Sequence, residues 1–169
     1  MKNETTAINF DQEADMLYPT LNKVEELLKE YQMVPVFYEV LADYMTPIRM
    51  FQALRKEGTP CFMLESVENK DQWGRYSFIG INPKSEIKIS GKELEVDGVK
   101  QEEEFKMSYL SDLIKKYKSP VMEDYPKLTG GLIGYFGYDM IRQVEKKLTN
   151  VPEDDLKMPE CHLCMYDEI

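Results

Sequence analysis

The sequence predicts an α+β (mixed α/β) fold of packed β-sheets with flanking helices. Three observations carry this. Residues 46–58 and 110–117 hold apolar side chains at helical spacing. Residues 85–100 alternate polar and apolar and contain hairpin turn signals. Cys61–Leu64 and Cys161–Ile169 read as short strands. A chain of 169 residues is long enough for one domain with a real core. With 43% hydrophobic and 31% charged residues, it falls among soluble globular proteins.

Residues 1–15 are polar and unpatterned and are expected to form a flexible arm, with one domain over 16–169. Thr20 is placed to cap a helix striped by Leu21, Val24, Leu28 and Tyr31. Met33–Leu41 reads as a strand, with Pro35 suiting a first or edge position. Thr46 as N-cap and Pro47 at the first helical position open the clearest helix. Ile48, Phe51 and Leu54 form its stripe, and Gly58 is the expected residue just past its end. Cys61–Leu64 is apolar at consecutive positions, so both strand faces are expected to be covered. The unit from Val36 through this helix to Leu64 is compatible with a crossover, though strand order stays open.

Asn82-Pro83 marks a turn. Glu86–Ser90 and Glu93–Val96 then alternate, and Asp97-Gly98 is a type I′ hairpin signal, so a meander with one wet face is expected. Glu102–Glu104 reads as solvated surface. Leu110, Leu113, Ile114 and Tyr117 indicate a helix, ended by Ser119-Pro120. Met140, Ile141, Val144 and Leu148 suggest another, with Asp139 as its cap. Cys161–Ile169 begins a strand and stops without a turn or polar tail, as a chain cut in mid-structure would.

The formal net charge of −10 argues against nucleic acid or an anionic membrane surface as partner, since both reward Lys/Arg patches. No apolar run approaches the ~20 residues of a membrane span. The N-terminus has no signal-type apolar region, and an odd number of cysteines gives no disulfide framework. The expected compartment is the cytoplasm.

Each motif has a plain alternative. Glycines at 130, 131, 134 and 137 do not match a phosphate-loop pattern, so a strand needing close backbone packing is preferred. Cys161 and Cys164 form a C-x-x-C, but on a strand they face opposite sides and cannot hold one ion together. A structural zinc site also needs four ligands, and Cys61 and His162 are the candidate supplements. Buried thiols are the preferred reading. His162, the single histidine, has no nucleophile–base–orienter arrangement around it. No catalytic residue and no metal site is expected.

The stretch from Cys61 to Ile81 stands apart. An apolar run ends in Glu65-Ser66, a charged loop holds the single Trp73, and Arg75 opens a second run. A carboxylate at the end of a buried strand needs a partner. Arg75, in a private ion pair, or a ligand ammonium fits that need.

Three segments together resemble a known family: Tyr38–Asp43 leading to Thr46-Pro47; Leu64-Glu65-Ser66-Val67-Glu68 with Trp73–Gly80; and Gly130–Arg142. The chain is similar to the N-terminal region of anthranilate synthase component I over about residues 17–145. The related aminodeoxychorismate synthase component I shares the glycine stretch and is the alternative family. A stand-alone amino-acid-binding module is a third reading.

The resemblance implies the N-terminal part of the chorismate-utilising enzyme fold. It implies a parent lyase that converts chorismate and ammonia to anthranilate and pyruvate with Mg²⁺. Ammonia would come from glutamine through a partner amidotransferase subunit. The chorismate and Mg²⁺ residues would lie outside this chain, leaving it inactive alone and without a cofactor of its own. It further implies half of an L-tryptophan feedback site. Ser66 matches the family's tryptophan-contacting serine, with Leu64 and Glu65 beside it and Arg75 at a basic position. In chemical terms Glu65 would face the ammonium, Arg75 the carboxylate, Ser66 would hydrogen-bond and Leu64 would give apolar contact. Exposed apolar surface and self-association are expected of the isolated chain.

Overall fold

The computed structural model describes residues 17–65, 76–123, 125–145, 147–150 and 153–169. The flexible-arm expectation for residues 1–15 falls outside them. The chain divides into two compact units: residues 1–44 with Lys116–Val121, and Met45–Lys115 with Met122–Ile169.

The first unit is slight. Strand β1 (Leu17–Tyr18) pairs antiparallel with β2 (Phe37–Tyr38), and helix α1 (Leu21–Leu27) lies between them in sequence. Thr20 occupies the N-cap with extended backbone, but its side chain makes no cap hydrogen bond. Leu21 and Leu28 of the expected stripe are exposed, while Val24 and Tyr31 are half-buried. The Lys118 ammonium sits 5.6 Å above the Tyr31 ring. The expected strand over Met33–Leu41 is reduced to Phe37–Tyr38. β1 offers it two residues to pair with, and Val40 and Leu41 stand exposed beyond them. β2 pairs with β1 and not with the Cys61 strand, so no crossover joins them.

The second unit holds the core. Five strands run in the order β7 (Val99–Lys100), β6 (Glu93–Val96), β5 (Ser85–Ser90), β9 (Cys161–Tyr166), β8 (Gly131–Phe136), every neighbour pair antiparallel. Ile87, Ile89, Leu94, Cys161 and Leu163 on these strands pack with Phe105, Met140 and Leu110 of helix α3 (Met107–Lys116). The alternation in 85–100 thus gives the expected meander. Asp97 (φ 53°) and Gly98 (φ 76°) both take the left-handed conformation that a type I′ turn demands.

The glycines around β8 serve close backbone approach, as the sequence suggested. A Cβ on Gly134 would lie 1.9 Å from the His162 carbonyl oxygen, and one on Gly137 2.9 Å from that of Glu160. Beyond β8 comes a 3₁₀ helix (Tyr138–Gln143) instead of a longer α-helix. Gly137 is its N-cap. Asp139 lies inside the first turn and pairs with Arg142 at 2.7 Å, so it is not the cap.

Helix α2 (Pro47–Leu54) starts as expected: Pro47 is the first helical residue and the Thr46 hydroxyl accepts a hydrogen bond from the Arg49 amide at 3.3 Å. Its end differs. Arg55 is the C-cap with extended backbone, and Gly58 (φ 75°) serves a separate turn closed by Thr59 N–H to the Lys56 carbonyl at 3.2 Å. Large apolar side chains remain exposed in both units, among them Leu41 and Tyr44 in the first and Tyr138 in the second.

Candidate functional site

Two of the sequence-predicted site residues, Leu64 and Glu65, lie on a two-stranded antiparallel ribbon, β3 (Phe62–Glu65) and β4 (Ser77–Gly80). Register sets Phe62 opposite Gly80, Leu64 opposite Phe78 and Glu65 opposite Ser77. The root of the ribbon is well anchored. Phe62 packs edge-on against Tyr166 of β9, with ring centroids 4.8 Å apart. Its ring fills the space above Gly80, where a Cβ would come within 2.0 Å of it. The Lys84 amide donates to the Met165 carbonyl at 2.7 Å, and the Asn82 side-chain amide to Glu168 Oε2 at 2.9 Å.

Toward its tip the ribbon opens to solvent. Leu64 is 46% exposed and Glu65 is exposed. The expectation that both faces of this strand are covered is therefore not met. β3 pairs with β4 alone among the described strands, and the covering side chains reach as far as Phe62 and Met63. Side chains alternate across a strand, so Leu64 and Glu65 point to opposite faces. A single ligand touched by both must lie across the strand end. Ser66, Arg75 and Trp73 lie outside the described residues, and with them the Glu65–Arg75 pair.

A second constellation was not anticipated. On the face of the five-stranded sheet opposite the core, His162 Nε2 lies 2.7 Å from Glu86 Oε1 and 4.0 Å from Cys164 Sγ. Glu86 Oε2 turns to Lys88 Nζ at 3.2 Å, and Lys88 also reaches Glu95 at 3.7 Å. Burial pushes the Glu86 carboxyl up, but hydrogen bonds and charges from Lys88 and His162 outweigh it and hold the group below its usual range. Lys88 is raised, first by its hydrogen bond to Glu86. Burial pushes the Cys164 thiol up, and the Glu86 charge adds to this. Burial drives Cys161 to about 11 and, with help from Cys164, Tyr166 to about 12.

Both C-x-x-C thiols are buried, and on opposite faces: Cys161 pairs with Ile89 in the core, Cys164 with Glu86. The spacing argument against joint chelation by them holds. The partners it could not find come from β5, because register between distant strands is not written in either strand. The one legible hint was His162 and Cys164 two apart, hence on the same face. Among the described residues, Glu86, His162 and Cys164 are the three candidate donors that lie together. Imidazole and thiol donors do not suit Mg²⁺, which takes oxygen ligands, so these three residues do not fit a magnesium site.

Known proteins place the chain more firmly than its geometry does. No family model matches. Anthranilate synthase component 1 of Acetivibrio thermocellus is 42% identical over 164 residues, covering 91% of this chain and 32% of the relative. The component 1 protein of Pseudomonas aeruginosa is 32% identical, covering 82% of this chain and 29% of its own length. Anthranilate synthase alpha subunit 2, chloroplastic, of Arabidopsis thaliana is 33% identical, covering 92% and 28%. A solved anthranilate synthase component I from Streptococcus pneumoniae TIGR4 is 27% identical over 77% of this chain and 28% of its own, at a TM-score of 0.46. The fold class rests on the chain's own sheets and helices. The chain spans under a third of the length of the curated relatives it matches. By sequence, over some nine tenths of its length, it belongs to the anthranilate synthase component 1 family.

Proposed function

We propose that this chain is the N-terminal, regulatory and structural portion of an anthranilate synthase component 1 and carries half of an L-tryptophan feedback site. The observation that carries the family part is the 42% identity over 164 residues to the Acetivibrio thermocellus protein. The parent enzyme would convert chorismate and ammonia to anthranilate and pyruvate, a lyase reaction at the start of tryptophan biosynthesis. It would use Mg²⁺ held by residues outside this chain and ammonia delivered by a glutamine amidotransferase subunit. Alone, the chain is inactive. The working compartment is the cytoplasm; among the described residues no helix is long and apolar enough to cross a membrane.

For tryptophan, the strand end at Leu64-Glu65 supplies one wall. Leu64, half exposed, offers apolar contact from one face, and Glu65 brings a carboxylate for the ammonium from the other. Ser66 follows as a hydrogen-bonding group and Arg75 as the cation for the ligand carboxylate. Feedback then requires tryptophan to favour one global state of the whole enzyme.

The test has two arms. The 169-residue chain, given chorismate, Mg²⁺ and ammonium, should produce no anthranilate fluorescence; turnover would overturn the inactive reading. Joined to the remaining two thirds of a component 1 relative, it should support synthesis inhibited by tryptophan. Glu65→Gln or Ser66→Ala should then raise the inhibitory tryptophan concentration about tenfold, within the usual span of coupling energies, at unchanged kcat. Tight tryptophan binding by the chain alone in calorimetry would replace the half-site with a self-sufficient binding module.

A further inference from the structure

We propose that Glu86, His162 and Cys164 form a binding site for a borderline-soft divalent metal ion of the zinc and cobalt class. The three donor atoms lie within 4.8 Å of one another, with His162 Nε2 2.7 Å from Glu86 Oε1 and 4.0 Å from Cys164 Sγ. Tetrahedral bonds of about 2.0–2.3 Å place oxygen and nitrogen roughly 3.3 Å apart and nitrogen and sulfur roughly 3.6 Å apart. The two separations from His162 thus each need a change of about half an ångström, and the Glu86–Cys164 separation, within 4.8 Å, needs to close by up to about 1.2 Å, all within reach of side-chain rotation. An ion entering here separates the imidazole from the carboxylate and draws in the thiol.

The donors are held by backbone register. Glu86 pairs directly with Cys164 across β5 and β9, and His162 is one same-face step along β9. Both strands are internal to the sheet, so the donor spacing is fixed by ladder hydrogen bonds on each side. Glu86 already divides its oxygens: Oε1 toward His162, Oε2 toward Lys88. A metal on Oε1 leaves the Lys88 contact in place. Cys164 is buried, whereas the Glu86 and His162 side chains each keep 30% exposure. That leaves an open side for a water as fourth ligand. The thiol gives up its proton to solvent on binding, so affinity rises with pH.

The test is titration of the reduced 169-residue chain with Co²⁺ alone. A sulfur-to-cobalt charge-transfer band in the near ultraviolet should grow, level at one ion per chain, and collapse on adding Zn²⁺ but not Mg²⁺. Cys61→Ser should leave the band unchanged and Cys164→Ser should remove it. His162→Gln and Glu86→Gln should each weaken apparent affinity about tenfold or more. If circular dichroism shows that Cys164→Ser fails to fold, the two half-exposed variants decide. Absence of the band, its survival in Cys164→Ser, displacement by Mg²⁺, or unchanged affinity in His162→Gln overturns the site.

Discussion

Gly134 shows how much a single missing Cβ controls. Added there, the atom would fall 1.9 Å from the His162 carbonyl, inside the β8–β9 ladder. Backbone cannot yield as a side-chain tip can. Gly134→Ala should therefore cost about 3 kcal/mol or more, read as a lowered urea midpoint. Gly98 has open space around it but a φ of 76°, so Gly98→Ala should cost about 1–2 kcal/mol, from strain alone. Titration gives a second residue-scale prediction. Glu86 has its carboxyl below the usual range in the fold, so its contribution is present above the unfolded pKa and lost as pH falls through the folded one. With chelator present, stability should decline below the ordinary carboxylate range near pH 4.5, and less steeply in Glu86→Gln. At the other end, Cys161 rises from 9.0 to about 11, so the fold should also weaken as pH climbs between those values. Chemical denaturation across pH checks both limbs.

At the level of elements, features set by neighbouring residues are legible in the sequence, and strand pairing is not. Thr46-Pro47 marked the start of α2 because capping is a matter of three or four neighbouring residues. Asp97-Gly98 marked its hairpin for the same reason. Met33–Leu41 has strand composition, yet just Phe37–Tyr38 pairs, since a strand needs a partner as much as a propensity. Gly58 was misplaced because a positive-φ glycine suits any turn, not the helix end alone. Leu64 and Glu65 are the last two residues of β3, where the apolar run turns polar. Their opposed faces follow from strand geometry, and their exposure depends on distant packing. The two helix caps make a paired prediction. Thr46→Ala, losing a real cap hydrogen bond, should cost about 1 kcal/mol. Thr20→Ala, losing none, should fall within about 0.5 kcal/mol of zero. Thermal or urea unfolding followed by circular dichroism distinguishes them.

For the whole molecule, the division into two units sets an uneven stability. The buried core, from Ile87 to Tyr166, belongs to the second unit, while the first buries Pro19 and Pro120 and otherwise has two-residue strands and a seven-residue helix without a buried residue. Amide hydrogen exchange should be slowest in β5 and β9 and fast throughout residues 17–44. Uniform protection across both units would contradict the division.

The place of β9 in the sheet also bears on how the chain is made. β9 lies between β5 and β8, yet follows both in sequence, and Glu86 meets a residue 76 positions later. A ribosome adding about 5–20 residues per second delivers that residue roughly 4–15 seconds after Glu86. Through that interval β5 presents an unpaired edge that any passing strand can join. Glu86 and Lys88, alternating with Ile87 and Ile89, put charge on that waiting edge, one of the ways proteins discourage wrong pairing. The same two side chains that later frame His162 thus guard the nascent sheet until β9 arrives.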